Sequence, residues 1–139
     1  FINVFGEEII VDNAEKAVES ACRKTGASVS DYTAGPVFMT ESSKGSHEWI
    51  IEFEREPADL RAFIEILDYS LKSVNSDYEA KRFKDLNLVI PVVRAVPKGT
   101  FNKWLKVKNK LGGQNKVPRL FNTREYIEDL YVIAGIRGT

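Results

Sequence analysis

Two hydrophobic periods lie almost back to back in the middle of this chain, and together they dictate a mixed fold. Residues 47–53 alternate, which sets Trp49, Ile51 and Phe53 on one face of an extended strand. Pro57 then opens a helix whose stripe is Leu60, Phe63, Ile64, Leu67, Leu71 and Val74. A strand face and a helical stripe each need an apolar cover. Helices packed on a sheet supply both, so an α+β architecture is expected, with one mixed β-sheet and covering helices.

The flanking segments read the same way. Residues 1–5 form a short apolar strand, followed by Gly6 and the acidic pair Glu7-Glu8. Asp12 caps a helix, with Glu15 three residues on to complete a capping box. Ala14, Ala17, Val18, Ala21, Cys22 and Thr25 keep one helical face, and Gly26 stops it. Residues 28–39 are rich in β-formers but interrupted by Gly35-Pro36, which predicts a bulge or an edge strand. A polar hairpin loop spans 40–46. A short helix over 76–83 starts at Asn75, and 88–96 is β-like with Pro91 inside it, again an edge signal. Thr100 caps an amphipathic helix with Phe101, Trp104 and Leu105 inward and Lys103, Lys106 and Lys110 outward. Asn122 or Thr123 starts a last helix that packs through Ile127, Leu130, Tyr131 and Ala134.

A length of 139 residues suits one domain, 1–139, able to bury a core without staples. No apolar run is long enough to span a bilayer, so no membrane partner is expected. Cys22 and His47 are the only residues of their kinds, which excludes an internal disulfide and the usual zinc clusters. A reducing, cytoplasmic setting follows. The chain opens on Phe1 inside an apparent strand, as a piece of a longer protein would.

Charge is segregated. Between residues 86 and 124 there are nine Lys or Arg and no Asp or Glu, although the whole chain is balanced at 20 of each sign. A surface of one sign points to an anionic partner. Inside this segment stands Leu111-Gly112-Gly113-Gln114-Asn115-Lys116-Val117-Pro118-Arg119. Gly112 and Gly113 permit backbone shapes and close approach that other residues cannot. Pro118 disfavours a helical Val117 and stiffens the exit. Lys116 is then a compact cation able to meet a phosphate oxygen, while Arg119 either anchors the loop or adds a second contact. An ordinary surface loop accounts for the same spacing.

Other candidates read as structural. Cys22 lies on an apolar stripe. His47 has no serine or carboxylate constellation around it in sequence. Glu7-Glu8 forms either a metal-binding pair or, more ordinarily, two solvated carboxylates.

Several motifs resemble one family. Asn75-Ser76-Asp77-Tyr78 with Arg82, Pro97-Lys98-Gly99-Thr100-Phe101, and Gln114-Asn115-Lys116-Val117-Pro118-Arg119 occur in the order and near the spacing of the plant auxin-responsive acyl-acid amido synthetases. The opening Phe1-Ile2-Asn3-Val4-Phe5-Gly6-Glu7-Glu8 resembles the segment after the hinge of the wider adenylate-forming superfamily. The resemblance covers nearly the whole chain. It implies the carboxy-terminal lid domain of a two-domain, ATP-dependent ligase. Such enzymes join a carboxylic acid to an amino acid through an acyl-adenylate, with ATP and Mg2+ bound mainly by an amino-terminal adenylation domain.

On that resemblance Lys116 is the catalytic residue, Gln114, Arg119 and Lys98 contribute to nucleotide binding, and no metal ligand is expected here. An isolated domain would be inactive. The chain departs from the plant pattern at Asn115, in its glycine-rich approach to the lysine and at Glu79-Ala80-Lys81, which leaves the acid and the acceptor open. The competing reading is a small α+β module that binds nucleic acid through the basic segment 94–124. It needs exposed aromatics among the cations or a basic recognition helix, whereas Phe101 and Trp104 read as core.

Overall fold

The alternating strand of residues 47–53 is the centre of the molecule. In the computed structural model, which describes residues 1–39, 42–110 and 116–136, it runs as β2 (Gly45–Arg55). To one side it pairs antiparallel with β1 (Ser28–Phe38), and to the other it pairs parallel with β3 (Val92–Val96). The sheet is therefore mixed, with order β1-β2-β3 and β2 covered on both faces.

Three layers result. The face carrying Tyr32, Ala34, Trp49, Ile51 and Phe53 packs on α1 (Val11–Thr25) and α2 (Leu60–Val74). Phe63, Leu67 and Leu71 of the expected stripe are fully buried there, while Leu60 and Val74 stay exposed at the helix ends. Ile50 points the other way, into a second core with Phe101 and Trp104 of α4 (Thr100–Lys110) and Ile127, Leu130 and Tyr131 of α5 (Glu125–Ala134). A short α3 (Ser76–Arg82) follows α2, capped by the Asn75 side chain, which accepts from the Tyr78 N–H at 2.8 Å. Both edges carry a proline, as expected: Pro36 in β1 and Pro91 just before β3. No helix among the described residues is long and apolar enough to cross a membrane.

Several local expectations are corrected. Residues 1–5 are not a strand of the sheet; Ile2 and Ile9 bridge each other, with backbone bonds of 2.9 and 2.8 Å, and close a small turn. That bridge fixes where α1 begins. Asn13, not Glu15, reaches back to the helix start and accepts from the Ile10 N–H at 3.1 Å, and Asp12 pairs with Lys16 instead. Pairing is regular at Gly35-Pro36, and the irregularity lies at Ser28–Asp31. Gly35 serves close approach: a Cβ there would stand 2.9 Å from Ile127 and 3.0 Å from the Thr123 carbonyl. α2 opens at Leu60 rather than at Pro57, capped by Asp59, and the last helix starts at Glu125. Thr100 gives its hydroxyl to the Pro97 carbonyl at 2.6 Å, and the buried N–H of Phe101 is met by a remote carboxylate, Glu52, at 3.0 Å.

Candidate functional site

Lys116 is exposed, and the three residues after it are tied down. Val117 is buried in the second core. Pro118 accepts the Thr33 hydroxyl at 2.6 Å, and Arg119 accepts the Ala34 N–H at 2.9 Å. Phe121 returns its N–H to Ala34 at 3.0 Å, so this stretch lies on the free edge of β1 as a one-residue parallel bridge. The short side chain of Thr33 and the free edge of β1 are what allow it. Lys116 thus stands at a cleft of about 230 Å3 shared with Ser30, Asp31, Glu52, Phe101 and Asn102.

The carboxylates of this cleft are occupied. Glu52, buried, takes the Phe101 N–H with one oxygen and the Ser30 hydroxyl with the other, the latter at 3.0 Å. Asp31 binds the guanidinium of Arg119. Arg119 also donates to the Tyr32 carbonyl at 3.3 Å, pairs with Glu15 at 3.3 Å and lies 4.5 Å from the Tyr32 ring centroid. The Tyr32 hydroxyl closes the ring of contacts by donating to the same Glu15 oxygen at 2.8 Å. Burial first, then that bond to Glu15, raises the Tyr32 hydroxyl pKa well above its ordinary value, so it stays a donor.

Among the described residues, Lys98 does not join this cleft. Lys98 is exposed and lines a separate cleft with Phe53, Glu54 and Glu56. Gln114 lies outside the described residues, as do the glycines before it.

The basic segment does not act as one patch. Arg124 reaches back to the buried Glu48 at 2.8 Å, Arg94 approaches the same carboxylate at 3.8 Å, and Lys108 pairs with Asp129 at 3.2 Å. With Arg119, four of its cations are matched by acids from distant parts of the chain. Lys98, Lys103, Lys106 and Lys116 make no ion pair among the described residues; the side chain of Lys110 lies outside them. Phe101 and Trp104 are buried, so neither offers a stacking platform for a base.

A second polar cluster lies behind the sheet's other face. Asp68 sits on the inner side of α2, and Arg82 grips both its oxygens at 2.8 Å. The Tyr78 hydroxyl donates to it at 2.6 Å. Burial alone would raise the Asp68 pKa, but Arg82 and Tyr78 outweigh it and hold the carboxyl below its ordinary value. The motif of Tyr78 and Arg82 is therefore a tether between α2 and α3. The legible signal was a lone acid, Asp68, in phase with an apolar stripe.

Glu7 and His47 correct the sequence reading further. Both side chains are fully buried, and they meet at 2.7 Å. Glu7 also accepts the N–H groups of Val4 at 2.6 Å and Phe5 at 2.7 Å. Burial opposes its ionisation, yet the His47 bond and the two N–H donors win and lower its pKa to about 2. Glu7 is therefore neither a solvated turn acid nor part of a metal pair with Glu8. It locks the amino-terminal turn onto β2.

Comparison with known proteins sets this geometry in context. The structure of the acyl acid amido synthetase AtGH3.15 in complex with 2,4-DB superposes with a TM-score of 0.71 at 19% identity, covering 94% of this chain and 25% of that one. A second structure, of GH3.15 acyl acid amido synthetase, gives 0.66 at 21% identity, with 87% and 23% covered. The chain thus spans about a quarter of the length of these structures, and the likeness is one of fold. No protein with a curated description matches the chain. The model of the GH3 family C-terminal domain matches residues 12–125, most of the chain, and the chain belongs to that family.

Proposed function

We propose that this domain is the lid of an ATP-dependent ligase that adenylates a carboxylic acid and transfers the acyl group to an amine, an amino acid in the first instance. Its partner is an amino-terminal adenylation domain of the same enzyme, in a cytoplasmic setting, and the domain by itself does not catalyse. One observation carries the reading: Lys116 stays exposed and without an ion pair among the described residues, while the backbone just after it is fixed to β1. A cation held in place before the reaction costs no reorganisation when charge develops on a transferring phosphoryl group, and there it acts most strongly. Family membership and the two amido synthetase folds support the class of chemistry.

The residues present fit an anionic substrate. The two carboxylates beside Lys116 are engaged by Arg119, Ser30 and the Phe101 N–H, and neither forms an ion pair with the lysine. ATP, when bound, supplies the adenylyl group, and Mg2+ offsets phosphate charge. Among the described residues no group of three or more His, Cys, Asp or Glu could hold a metal ion, and we assign magnesium to the rest of the enzyme. Lys98 and Arg119 remain candidates for nucleotide contact, Arg119 only if it leaves its present partners.

The test is acid-dependent pyrophosphate exchange by the full-length enzyme. Lys116→Ala should slow it about a hundredfold or more, roughly 3 kcal/mol of barrier, by analogy with losing one preorganised donor. Melting should hardly change, since an exposed lysine buries little. Lys103→Ala and Lys106→Ala, on the wet face of α4, are the charge-matched controls and should be nearly silent. Equal losses in all three would reduce the basic segment to a diffuse field, and full exchange by Lys116→Ala would end the assignment.

A further inference from the structure

We infer that Asp31, acting through Arg119, is a positioning residue for Lys116; the inference rests on the lid reading above. No sequence motif points to Asp31. It stands on β1, where the strand register shifts between Val29 and Asp31, and it lines the same cleft as Lys116. Its carboxylate holds Arg119, three residues beyond the lysine, and Asp31 Oδ1 also accepts the Tyr32 N–H at 3.0 Å. The aspartate is therefore itself oriented by backbone before it orients anything else.

Arg119 is the point where three elements converge. Its guanidinium meets Asp31 and the Tyr32 carbonyl on β1, Glu15 on α1, and the Tyr32 ring face. Its own carbonyl is fixed by Ala34. Between this node and Lys116 lie only Val117, buried, and Pro118, whose ring restricts the backbone. Backbone freedom at Lys116 is thus limited from the carboxy-terminal side by a charge-assisted clamp. A guanidinium so matched by two carboxylates has little charge left for phosphate. Lys116 has no such partner among the described residues. The geometry divides the two cations into one that reacts and one that aims.

Aiming makes a specific kinetic statement. Loosening the clamp should leave the lysine present but misplaced, and a small misplacement of a catalytic group is costly. In the full-length enzyme, Asp31→Asn and Arg119→Lys should each lower the single-turnover adenylation rate about tenfold or more. KM for ATP should stay unchanged in Asp31→Asn, and the double variant should be little worse than either single one, as for two parts of one unit. A second readout reports position directly. A nitroxide attached at Lys116→Cys, in a Cys22→Ser background, should gain mobility when Asp31→Asn is added.

The inference is overturned if Asp31→Asn keeps both the rate and the nitroxide line shape, or if it loses rate only in step with its melting temperature. Additive losses in the double variant overturn it as well, as does Asp31→Asn freeing the label at position 116 while, with Lys116 in place, it keeps the full adenylation rate. If Lys116→Ala itself exchanges pyrophosphate at the full rate, the lid reading has failed and the clamp is merely structural. If Lys116→Ala is slow and Asp31→Asn is fast, only the positioning role falls.

Discussion

The two polar clusters, one joining α2 to α3 and one at the free edge of β1, use similar side chains to opposite ends. Behind β2 and α2, Arg82 is buried, and its carboxylate partner Asp68 is buried with it and held by Tyr78. At the edge of β1, Arg119 and Asp31 are both half exposed, and a neighbouring lysine is left unmatched among the described residues. In the first cluster Arg82 and Tyr78 meet Asp68 in a dry interior, so breaking that contact strands a charge. In the second, water screens the pair and its loss costs little stability, which leaves the cluster free to serve geometry. A charged motif alone does not separate the two cases. Burial of its partner does.

The sharpest way to break that contrast is Arg82→Ala. It leaves Asp68 buried without its bidentate partner and should cost about 3–5 kcal/mol of stability, read by denaturant unfolding. Arg119→Ala should cost about 1 kcal/mol or less in the same assay, since its pairs are solvated. Equal losses would erase the distinction.

Glu7→Gln comes next, at about 2–3 kcal/mol, because the buried His47 loses a charged partner and two N–H donors lose a carboxylate. It also carries a pH signature. The folded pKa of about 2 lies below the ordinary 4.5, so this carboxylate stabilises the fold above about pH 4.5. That contribution fades as the pH falls from there toward 2. Glu7→Gln should therefore flatten part of the acid limb of stability, leaving the part due to Asp68, whose carboxyl is also lowered. A variant with the full wild-type acid limb would show that Glu7 is not the responsible group.

Tyr78→Phe should be milder, about 1.5–3 kcal/mol, the worth of one hydrogen bond to a charged group. Its single-turnover rate should be close to normal. A large fall in rate with unchanged melting would move Tyr78 from the tether to the chemistry. Smallest of all, Lys103→Ala should shift stability by no more than about 0.5 kcal/mol, because its side chain is exposed and touches no acid among the described residues.

Legibility in the sequence followed the range of the interaction. The alternation of Trp49, Ile51 and Phe53 and the stripe of Phe63, Leu67 and Leu71 were readable because both periods are local. Gly26 as the stop of α1 and Asn75 as the cap of α3 were readable for the same reason, and both stand where expected. The start of α1 is not legible locally, because a bridge from Ile2 to Ile9 sets where the helix begins. In the sequence alone, the glycine at position 35 reads as an interruption of β1. It is a clearance for α5, whose residues lie far along the chain.

What the sequence by itself determined was the helices and the three strands of the sheet, the two-faced burial they require and the presence of a lysine between glycines and a proline. It also held the charge imbalance of residues 86–124, but not its meaning. Only the tertiary structure decided which of those cations remain available, because their partners lie far away: Glu48 is 76 residues from Arg124, and Asp31 is 88 from Arg119. Helical and strand periods are written in neighbouring residues, whereas ion pairing depends on which surfaces the packed layers bring within a few ångströms. Charge balance is a property of the fold, and so, therefore, is the lack of an ion pair at Lys116 among the described residues.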